Sequence, residues 1–186
     1  MILRTQAFKT VFLMVVMWTV FVGCREIKTS AHLQKGPVFL LDGGGRLASF
    51  RIYGPVPGHK IATPFDGKSL RWYVQPSAGY FKGSKVQRLV VKYGEVPTGY
   101  TQTVPTGRAP QLDSNVVYYF FAETTDAPPA EGFFYLDGDV PTEIVVPGLC
   151  QSAFVGDVKP LKCGTSDPYT EPADLDQFVR ENEVQK

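Results

Sequence analysis

The side chains best suited to acid–base, metal or nucleophilic chemistry are few in this chain, beginning with two histidines. His32 lies in a polar stretch near the N-terminus, and His59 sits in the turn sequence Gly58-His59-Lys60. A serine triad would have to use His59, yet Ser49, Ser69, Ser77 and Ser84 stand in no nucleophile-elbow context. Both histidines therefore read as solvated loop residues. Asp137-Gly138-Asp139 with Glu143 gathers hard oxygen ligands near a turn but lacks the repeated aspartate ladder of a calcium loop, so it reads as a charged hairpin turn. Glu95, Glu123, Asp137 and Asp139 are the acids from which a glycosidase-type carboxylate pair could be drawn. Gly43-Gly44-Gly45 is followed by a strand pattern where a phosphate loop needs a helix N-terminus. No cofactor and no metal site is expected.

Sulfur and aromatic groups carry more. Cys150 and Cys163 are separated by twelve residues, with neither CxxC spacing nor a nearby histidine. In an oxidising compartment they read as one disulfide, worth about 3 kcal/mol for a loop of this size. Trp72, Tyr73, Tyr80, Phe81, Tyr100, Tyr118 and Tyr119 exceed what a few short strands need to fill a core. Core packing accounts for most of them, and Tyr73, Tyr80, Tyr100 and Tyr119 are the candidates for a platform that takes a sugar ring or a partner protein.

The elements that must position these groups are strands. Apolar runs at Val38–Leu41 and Leu47–Tyr53 flank Asp42-Gly43-Gly44-Gly45, which predicts a hairpin. Period-two patterns mark strands over Leu70–Gln75, with Leu70, Trp72 and Val74 inward, and over Arg88–Tyr93, with Leu89, Val91 and Tyr93 inward. A threonine-rich strand follows at Tyr100–Val104. Val116–Ala122 is apolar on both faces and predicts a central strand covered on each side. Phe133–Leu136 and Glu143–Val146 complete eight short strands. With Gly 18, Pro 15 and no long helix, this predicts an all-β fold, an antiparallel immunoglobulin-like sandwich, with a closed barrel as the alternative. Thr170-Glu171-Pro172 could cap a short C-terminal helix to about Asn182 that presents Leu175, Phe178 and Val179 on one face. Tyr53–Pro57, Tyr93–Pro97 and Gly138–Pro141 share Gly-x-Val-Pro just after a strand, either as three loops of one rim or as repeated turn chemistry.

The N-terminus supplies an address. Arg4 and Lys9 precede an apolar run from Val11 to Val22, the order of charge then hydrophobe found in secretory signals. The run is too short to span a bilayer, for which about 20 apolar residues are needed. Phe21-Val22-Gly23-Cys24 resembles the lipobox of bacterial lipoproteins, a likeness confined to residues 1–24. It departs from the commonest box at Phe21, where leucine is usual, and at Val22, where alanine or serine is. The resemblance implies cleavage before Cys24, which then carries diacylglycerol through a thioether and an N-acyl chain such as palmitate. Read without it, the segment is an ordinary secretory signal and Cys24 a chance residue. Two or three acyl chains would hold the protein on a membrane at about 0.8 kcal/mol per buried methylene. The expected location is the cell envelope, and in a Gram-negative cell Arg25, in place of aspartate, favours the outer membrane facing the periplasm.

The domain plan that follows is a signal at 1–23, a lipid-linked flexible tether at 24–36, a β-sandwich at 37–150 and an extension with a short helix at 151–186. Removal of the signal leaves 163 residues, enough for one domain with a full core. Charge is uneven: Cys24–Tyr93 holds twelve basic residues against three acids, and Gly94–Lys186 five against fifteen. Either the anchor-proximal half faces an anionic surface, or strands from the two halves interleave and their charges pair. Export excludes nucleic acid as a partner. Two functions remain in view: a non-catalytic, membrane-anchored module that binds an envelope protein or glycan, and an envelope polysaccharide or peptidoglycan hydrolase working through paired carboxylates.

Overall fold

Nine strands make up most of the computed structural model, which describes residues 27–144 and 174–184. The strands are β1 (Ser30–Gln34), β2 (Val38–Asp42), β3 (Arg46–Tyr53), β4 (Leu70–Pro76), β5 (Leu89–Lys92), β6 (Tyr100–Val104), β7 (Val117–Thr125), β8 (Ala130–Asp137) and β9 (Val140–Ile144). They form two antiparallel sheets, a small one in the order β1-β2-β5 and a large one in the order β6-β4-β3-β7-β8-β9. The expected β-sandwich is present, built from nine strands in place of eight.

The sheets meet across one apolar layer, with Phe39, Leu41 and Val91 facing Phe50, Ile52, Trp72, Val74, Phe120 and Phe134. Phe39 is the wedge. Its ring lies 4.9 Å from Phe50, 5.1 Å from Phe120 and 5.5 Å from Phe134, all fully or almost fully buried. The tilted and edge-on arrangements suit the ring quadrupoles and add to the area term.

β7 occupies the middle of the large sheet, as its two apolar faces predict. Tyr118, Phe120 and Ala122 point into the sandwich, whereas Val117, Tyr119 and Phe121 point to the opposite face. That outer face is closed by Ile61 and Ala62 of the 54–69 loop and by helix α1 (Leu175–Asn182). The Asp174 carboxylate accepts from the Gln177 N–H at 3.0 Å and caps the helix. Leu175 and Val179 are buried, the Tyr135 hydroxyl donates to Asp176 at 2.9 Å, and Val184 N–H bonds the Glu143 carbonyl at 2.9 Å. The start expected at Thr170–Pro172 lies outside the described residues, as do Cys24, Cys150 and Cys163.

Two expectations are overturned. The first is the hairpin at Asp42–Gly45. β2 pairs with β1 and β5, and β3 pairs with β4 and β7, so this segment carries the chain from one sheet to the other. Its glycines answer to close backbone approach. A Cβ on Gly43 would lie 2.4 Å from the Lys28 carbonyl oxygen, and one on Gly45 would lie 2.2 Å from that of Thr125.

The second is the flexible tether at 24–36. Ser30–Gln34 is the edge strand β1, with Ala31 and Leu33 against the core and Ser30, His32 and Gln34 outward. The preceding Thr29 is already buried, and its hydroxyl donates to the Gly44 carbonyl at 3.2 Å.

All strands run between two ends. The near end, where the N-terminal segment joins the domain, holds Thr29, Asp42–Arg46, Pro76 and Thr125–Ala130; the far end holds Gln34–Val38, Tyr53, Tyr93 and Val117. The three Gly-x-Val-Pro loops all leave the sheets at the far end: Gly94 and Gly138 flank one cleft there, and Gly54 packs on Arg71 and Tyr118. Interleaving of the basic and acidic halves holds for the large sheet only, since β1, β2 and β5 all come from the basic half.

Phe39→Ala should cost about 3–5 kcal/mol in urea denaturation, because the wedge cannot collapse without separating the sheets. Val90→Ala, on the open face of the small sheet, should cost no more than about 0.5 kcal/mol.

Candidate functional site

A charge inside an apolar strand requires a partner, and two such charges meet on the outer face of the large sheet. Arg51 in β3 and Glu123 in β7 are the lone charged residues of Leu47–Tyr53 and Val117–Thr125, and the pairing of Ser49 with Glu123 sets them diagonally opposite. Arg51 Nη2 bonds Glu123 Oε2 at 2.9 Å, and the Ser49 hydroxyl donates to the same oxygen at 2.7 Å. The Tyr80 hydroxyl donates to Oε1 at 3.0 Å from a 3-10 turn, Tyr80–Lys82. Both carboxylate oxygens are thus engaged within the protein.

Aromatic rings frame the pair. The guanidinium lies 4.9 Å from the Tyr73 ring centre and 5.7 Å from that of Phe121, a cation–π arrangement. Phe65, from the 54–69 loop, is exposed at one side and packs edge-on to Phe121 at 5.3 Å. Tyr80 stands exposed at the other side. Between them opens a cleft of about 450 Å³ floored by Arg51 and Glu123 and bounded below by Thr124, Ala127 and Pro129. Burial by itself would lower the Arg51 pKa, but Tyr53, Glu123 and Tyr73 outweigh it and keep the guanidinium charged. Burial raises the phenol of Tyr53, and burial with the bond to Glu123 raises that of Tyr80, so both stay protonated donors.

Of the four tyrosines singled out from sequence, Tyr73 and Tyr80 belong to this site. Tyr100 and Tyr119 do not, and the platform expectation is corrected there. Tyr100 is 8% exposed; its hydroxyl donates to the Leu47 carbonyl and accepts from Ser84 N–H, which ties β6 to β3. Tyr119 is 5% exposed beneath Phe65, and its hydroxyl donates to Glu131. Arg51 and Phe65 were not anticipated. The lone charge in Leu-Ala-Ser-Phe-Arg-Ile-Tyr was the available signal for Arg51; Phe65, held at φ 63° in a loop, gave none.

The four acids considered for catalysis separate. Glu123 lies in the near-end cleft, whereas Glu95 and Asp139 border a second cleft of about 880 Å³ at the far end, between the 108–114 loop and the β8–β9 turn. Tyr93 holds that loop through a 2.8 Å bond from its hydroxyl to the Pro110 carbonyl. Asp137, Asp139 and Glu143 do not assemble, and no group of three potential metal ligands occurs among the described residues. His32 lies on β1 and His59 on the exposed turn after Pro57, and neither lines the cleft.

Removing one partner should show that the ion pair is coupled. Arg51→Ala and Glu123→Ala should each destabilise by about 1–3 kcal/mol, with a double-mutant coupling of about 1–2 kcal/mol in urea unfolding. Nearby Glu131 has its carboxyl pushed up, chiefly by burial. A raised acid keeps its proton in the folded state after the unfolded chain has lost it, so stability falls as pH climbs above the ordinary 4.5. Glu131→Gln should therefore melt higher than the parent at about pH 7 and together with it at about pH 4. Set against known proteins, the chain matches no protein-family model, no curated protein and no solved structure.

Proposed function

We propose that this chain is a non-catalytic binding module of the cell envelope, anchored to the membrane by a lipid on Cys24, that takes a glycan of the envelope in the Arg51–Glu123 cleft. The observation that carries the reading is the cleft's composition: two exposed rings, Phe65 and Tyr80, on either side of a charged floor. A sugar ring presents an apolar C–H face and a rim of hydroxyls. The first suits Phe65 or Tyr80, and the second suits the fixed donors and acceptors of Arg51 and Glu123. A cleft of about 450 Å³ is sized for one or two sugar rings. Binding is favoured over catalysis at this site because Glu123 already accepts from Arg51, Ser49 and Tyr80, which leaves acceptor capacity for one more donor, and no second acid lines the cleft.

A hydrolase reading has one observation in its favour, the placement of Glu95 and Asp139 on the same far-end cleft. Glu95, however, is engaged with Lys92 across the turn that follows β5.

Cosedimentation of the mature chain with isolated envelope polysaccharide decides between the two. Retention should fall at least about tenfold in Tyr80→Ala and Phe65→Ala, because stacking carries much of such binding. Retention unchanged in both variants would remove the cleft from the proposal. Release of soluble fragments, abolished by Glu95→Gln or Asp139→Asn, would replace binding by hydrolysis.

A further inference from the structure

The short reach between Cys24 and the folded body sets the geometry of anchoring. Thr29 is buried and hydrogen-bonded, and Ile27 packs on the crossover, with its Cβ 3.3 Å from the position a Gly44 Cβ would take. Two residues, Arg25 and Glu26, separate Cys24 from Ile27, and the three Cα–Cα steps between them reach at most about 11 Å. A lipid on Cys24 therefore holds the near end of the sandwich against the headgroups. A 13-residue tether, by contrast, would have let the domain stand off by about 45 Å.

The near end carries what such a position asks for. Phe81 is 72% exposed and Ile27 is 67% exposed, the two most exposed large apolar side chains among the described residues. They lie on one continuous surface. Arg46 Nη1 donates to the Gly83 carbonyl at 2.9 Å, Leu47 N–H to Ser84 and Val86 N–H to Gly45, which lays the segment after Phe81 along the crossover that Ile27 covers. Tyr80 turns its hydroxyl inward to Glu123, and Phe81, edge-on to it at 5.0 Å, turns out. Lys28, Arg46, Lys82 and Lys85 are exposed around these two residues. Among the described residues the acids of this end are Asp42, Asp126, Glu123 and Glu131; Glu123 is paired with Arg51, and Glu131 faces Lys28. Exposed Glu95, Asp113, Asp137 and Asp139 stand at the far end.

We infer that the near end, centred on Ile27 and Phe81 and ringed by Lys28, Arg46, Lys82 and Lys85, is a docking surface for an anionic phospholipid bilayer. The inference rests on the lipid-anchor reading. Aromatic and aliphatic side chains settle at the headgroup level, and lysine and arginine beside them meet anionic lipid within a Debye length. Docked in this way, the strands stand upright on the membrane. The Arg51–Glu123 cleft opens just above the headgroups, and the far-end cleft points away from them.

The test uses the lipid-bearing protein reconstituted in vesicles of phosphatidylglycerol, with tryptophan placed by Phe81→Trp or, at the far end, by Val140→Trp, an exposed position paired with Asp137. Lipids brominated near the headgroup should quench the first at least about threefold more than the second, and Lys82→Glu with Lys85→Glu should abolish the difference. Equal quenching at both positions would overturn the docking surface. Mass spectrometry of Cys24 tests the anchor separately. If Cys24 carries no acyl group, the lipid-free mature chain decides the surface alone: partition into phosphatidylglycerol vesicles at least about tenfold above phosphatidylcholine, lost in Phe81→Ser, supports it, and equal partition overturns it.

Discussion

Strands β3 and β7 are apolar on both faces, so the sheet they centre has to be covered twice, and most of the architecture follows from that requirement. One cover is the small sheet, seated through Phe39 between Phe50, Phe120 and Phe134. The other is assembled from Ile61, Ala62 and Phe65 of the 54–69 loop and from Leu175 and Val179 of α1. Neither cover is a large hydrophobic body by itself. The small sheet has three strands, its outer face carries His32, Leu40, Val90 and Lys92, and α1 is eight residues long. Each is held because the face beneath it would otherwise bring rings such as Phe121, Phe133 and Trp72 into water.

The two covers do not meet everywhere, and the candidate site lies where the outer one ends. Past Phe121 the outer face of β7 continues with Glu123, and past Tyr53 that of β3 turns to Arg51 and Ser49. A polar floor is tolerated there because each group is engaged: the carboxylate by three donors, the guanidinium by the carboxylate and two rings. The change from apolar to charged along one strand face is therefore what creates the cleft, and Phe65 and Tyr80 mark its sides.

Seven of the nine strands, the sandwich and the centrality of β7 were legible in the sequence because their apolar runs or alternation are strong and their turns are rich in glycine and proline; β9 was expected at Glu143–Val146 and runs over Val140–Ile144, so only its end was legible. β1 was not legible. As an edge strand it buries only Ala31 and Leu33, and Ser30, His32 and Gln34 give it the polar texture of a linker. The glycine triplet misled for a physical reason: positive φ suits a hairpin, and close approach of two backbones suits a crossover, and both select glycine. Tyr73 and Tyr80, singled out by their type, lie beside the Arg51–Glu123 pair. Tyr100 and Tyr119 were assigned to it wrongly because a tyrosine that fills a core with its hydroxyl bonded has the same local pattern as one on a surface. Arg51 was within reach of the pattern, and Phe65 was not, since a loop residue is brought to its place by tertiary contacts alone.

The pairing of β3 with β7 also has a kinetic side. Ser49 and Glu123 are neighbours in the sheet and 74 residues apart in the chain. A polypeptide emerging from its N-terminus therefore presents Leu47–Tyr53 long before Val117–Thr125 arrives to complete the sheet, and contacts of such high sequence separation form slowly. Two unpaired, β-prone, apolar segments in one nascent chain are what aggregation selects. The lone arginine in one and the lone glutamate in the other interrupt both segments as charged gatekeepers until the strands find each other.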